Sequence, residues 1–176
     1  MPAAVCIDMT EQRIHATTTV NAPIETVFEV LADPSTHQAI DGTGWVREPL
    51  DGEFLTEVGQ VFRMGMYHDN HPEKYYEMAN RVEVLDRPRA IGWLPGQGPE
   101  QRGYLMNGTE LQWGGWLWRY DLDAVAENRT AVTLTYDWSN VAPDMRDIEF
   151  PPFEPQHLDN SLKNLALLAE SRGQDR

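Results

Sequence analysis

"VNAPIETVFEVLADPSTHQAIDGTG", residues 20–44, changes its periodicity twice. The preceding "QRIHATTTV", residues 12–20, alternates and is rich in Thr and Val, which reads as a strand. Asn21 then offers an N-cap and Pro23 stands in the first turn. Ile24, Val27, Phe28 and Leu31 follow at helical spacing, so 22–32 reads as an amphipathic helix. Asp33-Pro34 stops it, because the residue before a proline is pushed away from helical geometry. "STHQAI" reads as a second short helix that closes at Asp41-Gly42.

From Trp45 onward the period is two. "WVREPL", "QVFRMGMYH", "YYEMANRVEVL" and "RAIGWL" read as strands, and "GWLWRYDLDAV" and "RTAVTLTYDWS" as a pair joined by "AENR". "QHLDNSLKNLALLAE" returns to helical spacing, with Leu158, Leu162, Leu165 and Ala166 on one stripe. The order is strand, two helices, about six strands, long helix. Two long loops, about 95–110 and 140–155, have the length of lids or mobile segments.

The chain has 176 residues, enough for one domain with a sizeable core, and residues 1–11 read as a frayed start. Its formal net charge of -14 argues against nucleic acid or an anionic membrane as partner, since both demand a basic face. The single cysteine, Cys6, allows no intrachain disulfide and no CxxC site. No signal peptide and no apolar run of membrane-spanning length is visible, so cytoplasmic location without membrane insertion is the expectation.

The strings at 20–44, 114–122 ("GGWLWRYDL"), 130–139 ("TAVTLTYDWS") and 158–170 ("LDNSLKNLALLAE") resemble the START-like (SRPBCC) superfamily, in particular its bacterial polyketide cyclase/dehydrase-like branch. The resemblance covers nearly the whole chain. It implies an α+β helix-grip fold, in which a curved antiparallel sheet of about seven strands wraps a long C-terminal helix with a cavity between them. It also implies an apolar ligand such as a lipid or polyketide, and a cyclisation or dehydration reaction in some members. It carries no universal catalytic motif.

In a sheet covered on one face, the apolar parity points inward. That parity selects Phe62, Met64, Met66 and His68 in one strand. It selects Tyr76, Met78, Asn80, Val82 and Val84 in the next, then Trp116, Trp118, Tyr120 and Leu122, then Val132, Leu134, Tyr136 and Trp138. Leu158, Leu162 and Leu165 face them from the helix. Such stripes are ordinarily core. This one carries Tyr, Trp, Asn and His groups that a dry core must pair, and an apolar pocket with few polar groups is the usual form of a ligand site.

His68, Asp69 and His71 crowd "GMYHDNHPEKYY", residues 65–76. Metal ligands at HxxH spacing share a face on a helix, whereas alternation and Pro72 make this a strand and a turn. No metal and no cofactor is expected. His157 reads as a solvated first-turn residue, and His37 and Asp41 as turn and capping groups, with a place at one cavity end as the alternative. Three functions follow from these residues. The first is binding of an apolar, aromatic or polycyclic small molecule. The second is an enzyme of cyclase/dehydratase type, with His68 and Tyr120 or Tyr136 as proton-transfer candidates. The third is a protein-interaction module. The oligomeric state stays open.

Overall fold

The structure is a computed structural model describing residues 4–8, 12–42, 44–50, 53–69, 74–97, 112–141 and 153–174. Its elements are β1 (Ala4–Asp8), β2 (Arg13–Val20), α1 (Ile24–Leu31), a 3-10 turn (Pro34–Thr36), α2 (His37–Ile40), β3 (Val46–Pro49), β4 (Val61–Tyr67), β5 (Tyr75–Asp86), β6 (Ala90–Gln97), β7 (Gln112–Trp113), β8 (Leu117–Ala126), β9 (Arg129–Asp137) and α3 (Gln156–Gln174). The described strands form one antiparallel sheet in the order β1-β2-β9-β8-β6-β5-β4-β3, with β7 on β6. The seven strands expected from alternation are all present. Ala4–Asp8, expected to fray, instead pairs along the outer edge of β2 from Ala4↔Thr17 to Asp8↔Arg13.

Two local expectations are corrected. Asn21 does not cap α1. Pro23 holds the N-cap with φ -60 and ψ 148 and no side-chain bond, while the Asn21 N–H donates to Glu170 Oε1 of α3 at 3.0 Å. Proline's fixed φ thus starts the helix, and the asparagine serves to tie the helix entry to α3. In β5 the register shifts between Val82 and Val84, inserting one extra residue against β6. Val84 then stands opposite Gly92 on the outer face, and Leu85, opposite the fully buried Ile91, takes the inward position.

The core lies between the sheet and the helices. Ile14, Ala16, Val20, Val82, Ile91, Val132 and Leu134 from the sheet meet Val27, Phe28 and Leu31 of α1 and Leu158, Leu162, Leu165 and Ala169 of α3. The four α3 positions fall at i, i+4, i+7 and i+11, one unbroken stripe. Each leucine is fully buried, which is worth about 1.5–3 kcal/mol apiece.

Candidate ligand-binding site

Cross-strand register sets the inner face in rows. Phe62 pairs Asn80, Met64 pairs Met78, and Met66 pairs Tyr76 between β4 and β5. One row runs Val82, Trp93, Trp118, Tyr136, Ile14 across five strands, and the next Leu85, Ile91, Tyr120, Leu134, Ala16. Directly opposed side chains share a face, so the paired members of the sequence-selected set, Val84 apart, do assemble on one surface. Phe62, Met64, Asn80, Tyr120, Tyr136, Trp138, Leu158, Leu162 and Leu165 are buried. Met66, His68, Tyr76, Met78, Trp116 and Trp118 are half-buried. Trp116 precedes β8, with its ring folded over Gly114 where a Cβ would collide.

The half-buried end is built on Trp45. The His68 ring lies 4.6 Å from it, Phe153 6.3 Å and His157 6.5 Å. Phe153 then joins this end to the sheet, stacking on Trp118 at 5.4 Å and meeting Tyr136 edge-on at 5.0 Å. The His68 N–H donates to the Lys74 carbonyl at 2.9 Å, so His68 stands at the hairpin's start, beside the site. His71 lies outside the described residues, as do most of both long loops. Among the described residues, no three His, Cys, Asp or Glu side chains group as a metal site would require.

The deeper end carries His37, which is not the turn decoration its sequence context indicated. It is 8% exposed, stacked on Trp93 at 4.8 Å and edge-on to Phe62 at 5.6 Å, with Trp93 leading on to Tyr120 at 6.1 Å. Its Nε2 lies 2.9 Å from the Leu31 carbonyl oxygen. Burial lowers its pKa; the Leu31 bond and the Asp33 charge pull the other way. The imidazole is therefore neutral at pH 7. Burial drives the Tyr120 hydroxyl far above the ordinary phenol range, with the negative charge of Asp41 adding to it, and burial alone does the same at Tyr136. Both hydroxyls remain protonated donors. Among the described residues, none pairs with either hydroxyl or with the Asn80 amide, although these residues are only 5%, 2% and 7% exposed.

A second stripe of α3 fixes the "IDG" turn. His157 Nδ1 donates to the Gly42 carbonyl at 2.8 Å, Ser161 Oγ accepts from the Gly42 N–H at 2.9 Å, and Asn164 Nδ2 donates to the Ile40 carbonyl at 3.2 Å. Positions 157, 161 and 164 repeat the spacing of the leucine stripe one residue earlier. His157 is consequently half-buried in an aromatic setting, not solvated. Asp41 completes the turn, its Oδ2 accepting from the Trp45 and Val46 N–H groups at 2.9 and 3.1 Å. Trp93, Trp45 and Phe153 escaped the sequence reading. Trp93 shares the parity of Ile91 and was readable; Trp45 heads the short run "WVREPL", too brief to assign a face, and Phe153 lies outside any alternating run.

An antiparallel sheet closed by a long C-terminal helix, with two short helices after the first long strand, is an architecture shared with solved proteins. This is the helix-grip fold. Protein NE0264 from Nitrosomonas europaea matches with TM-score 0.64 at 13% identity, over 94% of this chain and 98% of that one. Protein Ms6760 from Mycobacterium smegmatis matches with TM-score 0.60 at 14% identity, over 99% of both chains. Zhui aromatase/cyclase from Streptomyces sp. R1128 matches with TM-score 0.54 at 19% identity, over 91% and 94%. At such identities the likeness establishes the helix-grip fold alone. In sequence, the chain is 25% identical over 138 residues to uncharacterized protein Rv0088 of Mycobacterium tuberculosis, covering 78% of this chain and 53% of that protein. It spans about half the length of the curated relatives it matches. No protein-family model matches it. No described helix is long and apolar enough to cross a membrane.

Proposed function

We propose that the protein binds an apolar, aromatic or polycyclic small molecule between the inner face of the sheet and α3. The observation that supports this best is the trio of polar groups on buried residues, the Tyr120 and Tyr136 hydroxyls and the Asn80 amide, whose polar atoms are unpaired yet not sealed from solvent. All lie on an aromatic surface without a protein partner among the described residues. A ligand that displaces water from these groups must supply partners for them, since each one left buried and unpaired costs about 1–3 kcal/mol. Trp118 packs against both Tyr136 and Phe153, at 4.6 and 5.4 Å, where it would form one wall. Replacing it with Ala is expected to weaken binding of aromatic ligands found by thermal-shift screening or native mass spectrometry at least tenfold. An inner face that shifts with no apolar ligand in such a screen refutes the reading.

The mouth favours a second reading, proton transfer on the bound molecule. His68 and His157 flank Trp45, and His157 is oriented by its bond to the Gly42 carbonyl. A carbonyl only accepts, so Nδ1 donates to it, and in the neutral ring Nε2 is the nitrogen that could take a proton. The fold also serves an aromatase/cyclase in Streptomyces. On this reading, His68→Ala abolishes turnover of a polyketide-like substrate while binding survives. Unchanged turnover removes His68 from the mechanism.

A further inference from the structure

The deep end of the same site contains a hydrogen-bond acceptor with no matching protein donor. His37 Nε2 faces the Leu31 carbonyl oxygen at 2.9 Å. Since a carbonyl cannot donate, Nε2 carries the hydrogen, and in a neutral ring Nδ1 is then a bare lone pair. Among the described residues nothing donates to Nδ1. The ring is 8% exposed and held on two sides by Trp93 and Phe62, yet Nδ1 itself is not sealed off, so water or a bound molecule can reach it. Asn80, Phe62's partner across the β4–β5 ladder, and Tyr120, in ring contact with Trp93, stand around the same two aromatic residues.

We infer that His37 Nδ1 is a specificity-determining acceptor that receives a hydroxyl of the bound molecule at the α2 end of the site. This inference rests on the binding function proposed above and adds a preference to it. The site takes a phenol or alcohol and discriminates against the same skeleton when the hydroxyl hydrogen is replaced by methyl. The discrimination arises because a site built to hydrogen-bond a group rejects the analogue that lacks it, leaving the buried acceptor unpaired. Tyr120 and Tyr136, both donors at neutral pH, would not distinguish the two probes, since a phenol oxygen and an ether oxygen both accept.

The test compares 2-naphthol with 2-methoxynaphthalene, binding to the intact chain being followed by quenching of tryptophan fluorescence. The unaltered protein is expected to prefer 2-naphthol at least tenfold. His37→Phe keeps an aromatic ring against Trp93 and is expected to lose the preference, the ratio of the two affinities falling to about one. Equal affinity of the unaltered protein for the two probes, or a preference that survives in His37→Phe, overturns the assignment and leaves the binding function intact. Failure of both probes to bind overturns the two together. Should His37→Phe not fold, imidazole 15N shifts in the unaltered protein decide the matter. Nδ1 is expected to move on addition of 2-naphthol and not of 2-methoxynaphthalene, and an Nδ1 signal indifferent to 2-naphthol refutes the assignment.

Discussion

Replacing Gly42 with Ala tests the clasp between the "IDG" turn and α3. A Cβ on Gly42 would overlap the His157 carbonyl oxygen and lie 2.8 Å from Asn160 Cβ and 2.9 Å from the Ser161 nitrogen. Two of these neighbours are backbone of a helix locked by three fully buried leucines, so no side-chain rotation relieves the collision. The turn must retreat instead. Retreat breaks the bonds from Gly42 to Ser161 and from His157 to Gly42, at 2.9 and 2.8 Å, and strains the Asn164 bond to Ile40 at 3.2 Å. At about 0.5–1.5 kcal/mol net for each neutral bond, the loss is about 2–4 kcal/mol. For a chain of this size each kcal/mol moves the melting temperature about 2–4 °C, so a fall of roughly 4–16 °C is expected. Gly44→Ala is the control. Its φ is +80 with no heavy atom within 4 Å, so it carries only a left-handed backbone cost of about 1–2 kcal/mol. Urea or thermal unfolding followed by tryptophan fluorescence gives both values. A Gly42→Ala protein as stable as its parent, or less affected than Gly44→Ala, refutes the clasp.

Two further predictions concern the core. The pKa of His37 is lowered in the folded state, so the unfolded chain binds more protons on acidification. Its contribution to stability is therefore complete above the unfolded value near pH 6.5 and is lost as pH falls below it, at up to about 1.4 kcal/mol per pH unit until the folded pKa is reached. Urea titrations between pH 7.5 and 5 should show this slope in the parent and a shallower one in His37→Phe; identical slopes exclude His37 as its source. Leu162→Ala removes a fully buried side chain from the middle of the α3 stripe and should cost about 2–5 kcal/mol, read as a lower urea midpoint with unchanged m-value. A loss under 1 kcal/mol would mean that the stripe does not carry the packing.

Alternation made the sheet legible because one face is uniformly buried. Along β9 and one residue past it, every second residue from Thr130 to Trp138 is buried. The reading failed where pairing is non-local or register slips. Ala4–Asp8 owes its strand state to the free edge of β2, which no local pattern announces. The bulge at Val82–Val84 inverted the parity and exchanged Leu85 for Val84. His157, Ser161 and Asn164 were visible as a polar i, i+4, i+7 stripe, yet nothing in the sequence says that the turn after α2 docks there. His37 was misread for the same reason. A histidine beside a proline-containing turn looks like turn chemistry, and only the fold brings Trp93 and Phe62 to its faces.

The two stripes of α3 do unequal work. The leucine stripe holds the helix to the sheet through several residues worth about 1.5–3 kcal/mol each, whereas the clasp holds the 40–42 turn through three neutral hydrogen bonds worth about 2–4 kcal/mol in sum. Opening the site along the leucine stripe would cost most of a small domain's stability, which totals about 5–15 kcal/mol. Opening at the clasp costs far less, and an energy near 2.7 kcal/mol corresponds to an open fraction of about one in a hundred. The turn that would yield carries Asp41 and, through it, Trp45, around which His68, Phe153 and His157 gather. The weaker seam therefore coincides with the half-buried aromatic end of the inner face, and the deep end at His37 stays anchored by Leu31, Trp93 and Phe62 whichever way the turn moves. A molecule entering at Trp45 would meet an adaptable mouth first and a fixed acceptor last, an order in which shape is tested before hydrogen bonding.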